Sequence, residues 1–417
     1  MTKRKEIYLM VICWVAYLMA QLGRYSYSSN VTLMMDKFAV EHAEASLPAT
    51  LFFFAYGVGQ IVVGLFCNRF NRKFLVVSAL TISSLINLVI FLGADLIAIK
   101  YLWMLNGFVQ ANLWPVMVLI LKENLSDKRL TTAGIVMATA STGGKFASIG
   151  VCAIFAINTE TFMYCFLTAS ILLFVMALLF LFTTKGVKVS KSVEPPKVET
   201  ETQTLNKKTK SDKNSIILLI LLGEISLTSY AISGGLQQWV PSIIKESYGM
   251  SDALSIFMSI MLPLFTLSAA FLAPYLSKLL KNYLLVFLVC FVLGITLLVG
   301  VLLCIDVHWL PILILFTVES ITMGIVANTT TVEIPLRFKG KFNAGFLAGY
   351  LNGACYIGSA VATYLLGYMA DATGWTGAFI LLIAIASVSA ILSLIYLLFQ
   401  IRTKKAKTNL NEVKSSE

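Results

Sequence analysis

The chain has 417 residues, of which 58% are hydrophobic and 13% charged, with a mean hydropathy of +0.84; no ordinary soluble domain approaches this composition. Its formal net charge of +11 would suit a nucleic-acid binder, but the basic residues lie between apolar runs rather than in a patch or stripe, which excludes that reading. The composition is that of a polytopic membrane protein.

Twelve apolar runs follow one another, at about 7–32, 47–67, 74–93, 99–121, 131–156, 162–182, 215–240, 252–276, 283–304, 308–332, 343–369 and 376–400. Each is long enough for a spanning helix, which needs roughly 20 residues. With the N-terminus placed in the cytoplasm, 27 of the 32 Lys and Arg fall in cytoplasmic segments, three (Lys37, Lys100, Lys245) outside and two (Arg24, Lys145) within spans. That bias is the positive-inside signature and predicts that both termini are cytoplasmic. The external segments carry acids instead: Asp36, Glu41, Glu44, Asp95, Glu160, Asp252, Asp306 and Asp371.

The first run is long and follows the charged start MTKRKE, so it reads as a retained helix, not a cleaved signal. Within it, YLMAQLGRYSY (Tyr17 to Tyr27) holds Arg24, the single charge between Glu6 and Asp36. A cation at that depth costs about 2.5–3.5 kcal/mol on insertion scales, so Arg24 is expected to face a polar interior. Asn30-Val31-Thr32 matches a glycosylation sequon at a helix end, where a chance match is expected. His42 and His308 fall at external loops and are expected to be solvated. The second run ends in GLFCNRFNRK (Gly64 to Lys73), whose basic residues suit a cytoplasmic loop. In the fourth, Trp114-Pro115 is expected to shape the helix, because proline frees a carbonyl one turn back. The fifth carries Lys145.

Residues 184–213 are polar, Lys-rich and punctuated by Pro195 and Pro196, and read as a flexible linker. They divide the chain into 1–183, a first six-helix bundle, and 214–401, a second, followed by a basic tail, 402–417. The halves echo one another: Ala133-Gly134 opens the fifth span and Ala344-Gly345 the eleventh, and under that offset Lys145 mirrors Tyr356. Small residues there, in MATASTGG and AGYLNGA, let helices approach closely. In the second half Glu224 and Glu319 lie inside apolar spans and are proton-coupling candidates, or else counter-ions for Lys145 or Arg24. Glu333, at the cytoplasmic end of the tenth span, is a gating candidate. The seven cysteines (Cys13, Cys67, Cys152, Cys165, Cys290, Cys304, Cys355) lack metal-ligand or redox spacing and read as small core residues.

Two parallel six-helix repeats joined by a long basic loop resemble the major facilitator superfamily, whose substrates bind near the midplane between the halves. The Gly64–Lys73 segment resembles its signature loop, with Asn68 where an acid is usual; the resemblance implies gating roles for Arg69 and Arg72, which serve topology equally well, and Leu276 to Asn282 keeps only Lys278 and Lys281 of the second copy. Tyr17 with Arg24, Ala55-Tyr56-Gly57, Asn106 to Gln110, Trp114-Pro115, Tyr230 with Trp239 and Pro241, AGFLAGYLNGACYIGS and GYMADATGWTGAF resemble the organophosphate:phosphate antiporter family. The resemblance implies alternating-access exchange of a sugar or glycerol phosphate against inorganic phosphate, with Tyr17, Arg24, Tyr56, Gln110, Tyr230 and Tyr356 at the site. Three positions depart from it: the family's second arginine, lysine and histidine stand here as Ser233, Gln60 and Ala140. Gln21, Gln60, Ser233 and Lys145 complete the candidate set, Lys145 as a replacement second cation.

These readings predict an all-α membrane protein of twelve spanning helices in two pseudo-symmetric bundles, resident in a cell membrane, prokaryotic by its compact loops. The expected function is secondary transport of a small organic anion, phosphate ester or monoanion, by a functional monomer, with phosphate or protons as counter-transported partner. A proton-coupled carrier of carboxylates, amino compounds or amphiphiles using Glu319, and a transporter-like sensor without flux, are the alternatives. No nucleophile–base pair, metal cluster or phosphate-cradling loop points to an enzyme, a cofactor or a metal.

Overall fold

A computed structural model describes residues 3–66, 70–157, 161–184, 213–337 and 344–416. Arg69 and nearly all of the 184–213 linker lie outside the described residues. The elements are α1 (Lys3–Ser29), α2 (Val31–Phe38), α3 (His42–Phe66), α4 (Arg72–Phe91), α5 (Leu96–Gln110), α6 (Leu113–Asn124), α7 (Asp127–Phe155) and α8 (Tyr164–Thr183) in the first half. The second half holds α9 (Lys213–Tyr248), α10 (Asp252–Ser259), α11 (Met261–Thr266), α12 (Ala269–Leu280), α13 (Tyr283–Cys304), α14 (Trp309–Asn328), α15 (Ile334–Arg337) and α16 (Ala344–Ser416). Among the described residues there is no strand. Lipid offers no partner for a free backbone N–H or C=O, so an apolar run of this length must close its hydrogen bonds internally.

Among the described residues eleven stretches are long and apolar enough to cross a membrane. The last, Phe346–Arg402, has 57 residues; at about 1.5 Å per residue it would be roughly 85 Å long, against a hydrocarbon core of about 30 Å. Gly374, at φ 73° and ψ −180°, breaks it, and glycine is the residue that tolerates such a conformation. The two sides of Gly374 correspond to the eleventh and twelfth predicted spans.

The spans are interrupted where the site lies. The fourth divides between α5 and α6 at Ala111 and Asn112. Pro115 has no N–H to offer the Ala111 carbonyl four residues back, and Gln60 Nε2 takes that place at 2.9 Å. The eighth divides into α10, α11 and α12, and the tenth ends in a π-helical turn, Thr329–Glu333; such turns are frequent at functional sites.

Glycines set the closest crossings. A Cβ on Gly107 would lie 2.3 Å from Phe52 O, one on Gly144 2.5 Å from Leu18 O and one on Gly358 2.0 Å from Leu227 O. Between the halves, α3 packs against α16, α7 against α10 and α11, and α1 and α2 against α9. The core of the second half takes in Val31 and Ala45 of the first, while a core of the first takes in Ile256, Ile260 and Ala360 of the second.

Candidate functional site

A cavity of about 130 Å³ lies between the halves. The first half lines it with Arg24, Tyr25 and Ser28 of α1, Phe53 of α3, and Ser141 and Lys145 of α7. The second lines it with Tyr230, Ser233, Gly234, Gln237 and Gln238 of α9, Thr266, Gly324, Ala327, Asn328, Tyr356 and Ser359. Among the described residues two cations and no carboxylate line this space.

Arg24 is 3% exposed. Its guanidinium carbon lies 4.0 Å from the Tyr56 ring centroid, 5.1 Å from Phe52 and 5.9 Å from Tyr356. Its Nε donates to Gln110 Oε1 at 3.4 Å. Gln110 is held for this task, because its Nε2 donates to Asn106 Oδ1 at 3.0 Å and Ser83 Oγ at 3.2 Å while Ser83 donates to Asn106 at 2.7 Å. Cation–π contacts contribute about 0.5–2 kcal/mol each, less than the several kcal/mol of burying an ion. Lys145 Nζ donates to Gln237 Oε1 at 3.2 Å and lies 4.9 Å from the Tyr25 ring centroid.

The structure brings together Arg24, Lys145, Tyr230, Ser233 and Tyr356 on the cavity and places Tyr56 and Gln110 directly behind Arg24. Tyr17 stands behind Tyr56: its ring packs on Trp114, centroids 5.0 Å apart, and its hydroxyl faces Tyr56 and Gln21. Gln21 is buried against α7, where a Cβ on Gly144 would meet its Cβ at 2.4 Å. Gln60 serves the broken fourth span and accepts from Asn352 Nδ2 across the halves at 3.3 Å. The expectation that an intramembrane acid neutralises Arg24 or Lys145 is corrected: neither cation pairs with a described carboxylate. Glu224 accepts from Ser389 Oγ at 2.5 Å and Thr228 Oγ1 at 3.1 Å, beside a separate apolar cavity of about 260 Å³ between α9 and α16. Glu319 is 0% exposed, and among the described residues neither carboxyl oxygen has a partner; it faces Gly294 of α13 and is not among the residues lining the cavity. Arg72 pairs with Glu123 inside the first half, and Glu333 sits on the π-helical turn.

Sequence reasoning missed Tyr25, Ser28, Gln237, Gln238, Asn328 and Ser359. The adjacent amides Gln237-Gln238 in an apolar span were a usable signal. Gln238 is 2% exposed, and among the described residues neither of its amide atoms has a partner. The sequon asparagine, Asn30, is buried, its Nδ2 donating to Ser26 O at 2.8 Å.

His42 is a further correction. It is not a solvated loop residue but sits at the outer seam between Glu246 and Asp371 of the opposite half, against the rings of Trp239 and Trp375. Beside it Lys245 bridges Asp36 at 2.9 Å and Asp252 at 3.0 Å.

Comparisons with known proteins agree with this architecture. Part of the chain is 27% identical over 103 residues to the membrane sensor protein UhpC of Escherichia coli, covering 25% of this chain and 24% of that protein. Across 97% of this chain and 94% of the other, it is 22% identical to the glycerol-3-phosphate transporter of Bacillus subtilis. In fold it is similar to a bacterial homologue of the human lysosomal transporter Spinster, with a TM-score of 0.78 at 13% identity over 95% of this chain and 97% of that one. A point mutant of the nucleoside transporter NupG gives a TM-score of 0.73 at 12% identity over 93% of this chain and 99% of that one. The family profile described as Major Facilitator Superfamily matches residues 13–363, and the chain, a multi-pass membrane protein, belongs to that superfamily.

Proposed function

We propose that the protein is a non-enzymatic secondary transporter that binds a small organic anion between Arg24 and Lys145 and carries it by alternating exposure of the inter-half cavity. The observation that carries this reading is a cavity lined by two cations and no carboxylate. Guanidinium and ammonium groups in a low-dielectric site select anions, Arg24 by a planar fork and Lys145 as a point charge. Tyr230, Ser233, Tyr356 and Ser359 supply neutral hydrogen bonds, and the unpartnered Gln238 amide fits a hydroxyl or carbonyl on the uncharged part of the cargo. The glycerol-3-phosphate transporter relative makes a phosphate ester the first candidate, with phosphate as the exchanged partner and a monomer as the working unit. With Ser233 where the family resemblance implies a second arginine, a monoanion is the competing cargo.

Thermal shift of the purified protein against phosphate esters and carboxylates tests this, since a ligand of the native state raises its melting temperature. A dianionic ester should stabilise most. In Lys145→Ala its affinity should fall about tenfold to a hundredfold, in proportion to a lost charge-assisted hydrogen bond of about 1.5–3 kcal/mol, whereas a monoanion held by Arg24 alone should lose little. Equal losses for both would remove the two-cation reading.

A second reading rests on the unpartnered oxygens of Glu319: the carboxyl group takes up and releases the coupling proton. Glu319→Gln should then abolish accumulation driven by a pH gradient and leave counterflow intact; a parallel fall of both would end that role. The sensor relative raises a third outcome, binding without flux, which uptake into proteoliposomes decides.

A further inference from the structure

The outer seam holds a side-chain cluster that substrate binding does not use. His42 opens α3 with its Nδ1 2.6 Å from Asp371 Oδ1 and its Nε2 2.8 Å from Glu246 Oε1. Both acids belong to the second half, on α16 and α9, so one imidazole spans the division between the halves.

The remaining contacts fix the protonation pattern. Asp371 also accepts the backbone N–H of His42 at 3.0 Å and of Ala43 at 2.8 Å. Glu246 Oε2 accepts from Trp375 Nε1 at 2.8 Å. Both carboxylates are therefore oriented as acceptors, and the ring must supply both protons. A neutral imidazole carries one N–H and the imidazolium two, so the two short contacts coexist only when the ring is charged. Loss of one proton leaves a ring lone pair facing a carboxylate oxygen. Trp239 and Trp375, with ring centroids 5.4 and 5.2 Å from the imidazole, hold the ring in place.

The surrounding charges do not blur this arrangement. Lys245, next to Glu246 on α9, is engaged by Asp36 of α2 and Asp252 at the start of α10, and Thr32 Oγ1 donates to Asp252 at 2.8 Å. Glu44, in the first turn of α3, pairs with Lys100 of α5 at 3.1 Å. Lys37 lies against the Phe38 and Phe162 rings, and Glu41 is exposed.

We propose that His42 is a proton-operated latch on the external face: a proton taken from the outside medium ties α3 to α9 and α16 and holds the cavity shut on that side, and its release frees the halves to part. The Lys245 bridges to Asp36 of the first half and to Asp252 form a second tie at the same seam. Acid outside thus favours the state closed to the exterior, and neutral pH favours opening. The latch acts on the halves themselves, so it works whatever anion the cavity carries.

Hydrogen–deuterium exchange of the full chain in detergent, at pH 5.5 and pH 8 and divided by the intrinsic amide rate at each pH, reads the latch directly. The amides of His42 and Ala43, which donate to Asp371, and the segment 368–376 should exchange about tenfold faster at pH 8, as expected for one lost charge-assisted hydrogen bond. In His42→Gln, which does not titrate, protection should be equal at both pH values; in His42→Arg it should stay high at both. The same tenfold response in His42→Gln, or a flat profile in the unmodified protein, would overturn the proposal. Glu246→Gln offers an independent check if His42→Gln fails to fold: a glutamine accepts from or donates to the ring in either state, so the response should shrink, and an unchanged response would also overturn it.

Discussion

Replacing Arg24 by alanine is expected to abolish anion-dependent stabilisation and uptake into proteoliposomes while leaving the protein folded and inserted. Removing one partner of a buried charge pair costs about 2–5 kcal/mol, roughly a 30- to 4,000-fold loss of affinity. The fold should not suffer in the same measure. In the unliganded protein Arg24 is a buried cation with one long hydrogen bond to Gln110 and ring contacts to Tyr56 and Phe52, so its removal relieves an insertion cost of about 2.5–3.5 kcal/mol. The melting temperature without ligand should therefore hold or rise as affinity collapses. A merely structural counter-ion would behave in the opposite way, losing stability and binding together. Arg24→Lys should fall between, because it keeps the charge but loses the planar fork and the stacking on Tyr56. Uptake within about twofold of the unmodified protein in Arg24→Ala would exclude the cation from substrate binding.

How much of this was legible in the chain depends on whether the signal is local. Arg24 and Lys145 stand alone in apolar spans, and that isolation alone pointed both into a polar interior, where the structure has them. The repeat offset paired Lys145 with Tyr356, and both line the cavity. Tyr17, seven residues before Arg24 on the same helix face, lies about 10 Å along the axis; its ring packs on Trp114 and its hydroxyl faces Tyr56, the ring against which Arg24 lies. Gln60 entered the candidate set because it stands where the family resemblance implies a lysine; its partner is a carbonyl that Pro115 leaves open in another helix, a need visible only once the helices are assembled. His42 was the largest miss. Its acids stand 204 and 329 residues away in sequence, and no periodicity links positions that meet only when two bundles close.

Substituting valine at Gly57 and at Gly358 should separate movement between the halves from the integrity of one half. A Cβ on Gly358 would lie 2.0 Å from Leu227 O and 2.8 Å from Leu227 C, backbone atoms of α9, the first helix of the same half. Main chain in a packed helix cannot swing aside, so α9 and α16 must separate, opening voids in a core whose close packing contributes several kcal/mol. Gly358→Val should yield little monodisperse protein after solubilisation. Gly57 faces the other half: its Cβ would meet Gly353 O at 3.1 Å, Ile357 Cγ1 at 3.3 Å and Tyr356 Cβ at 3.4 Å. One of these belongs to a flexible side chain that can turn, and the crossing joins α3 to α16 rather than helices of one core. Gly57→Val should therefore fold within a few degrees of the unmodified melting temperature, a change of about 1–2 kcal/mol, yet hold the halves apart at the crossing beside Tyr356. Because alternating exposure needs that crossing to close and reopen, uptake should fall at least tenfold while the thermal shift with anion persists. Normal uptake in a well-folded Gly57→Val would show that α3 and α16 do not have to approach this closely for the cavity to change sides.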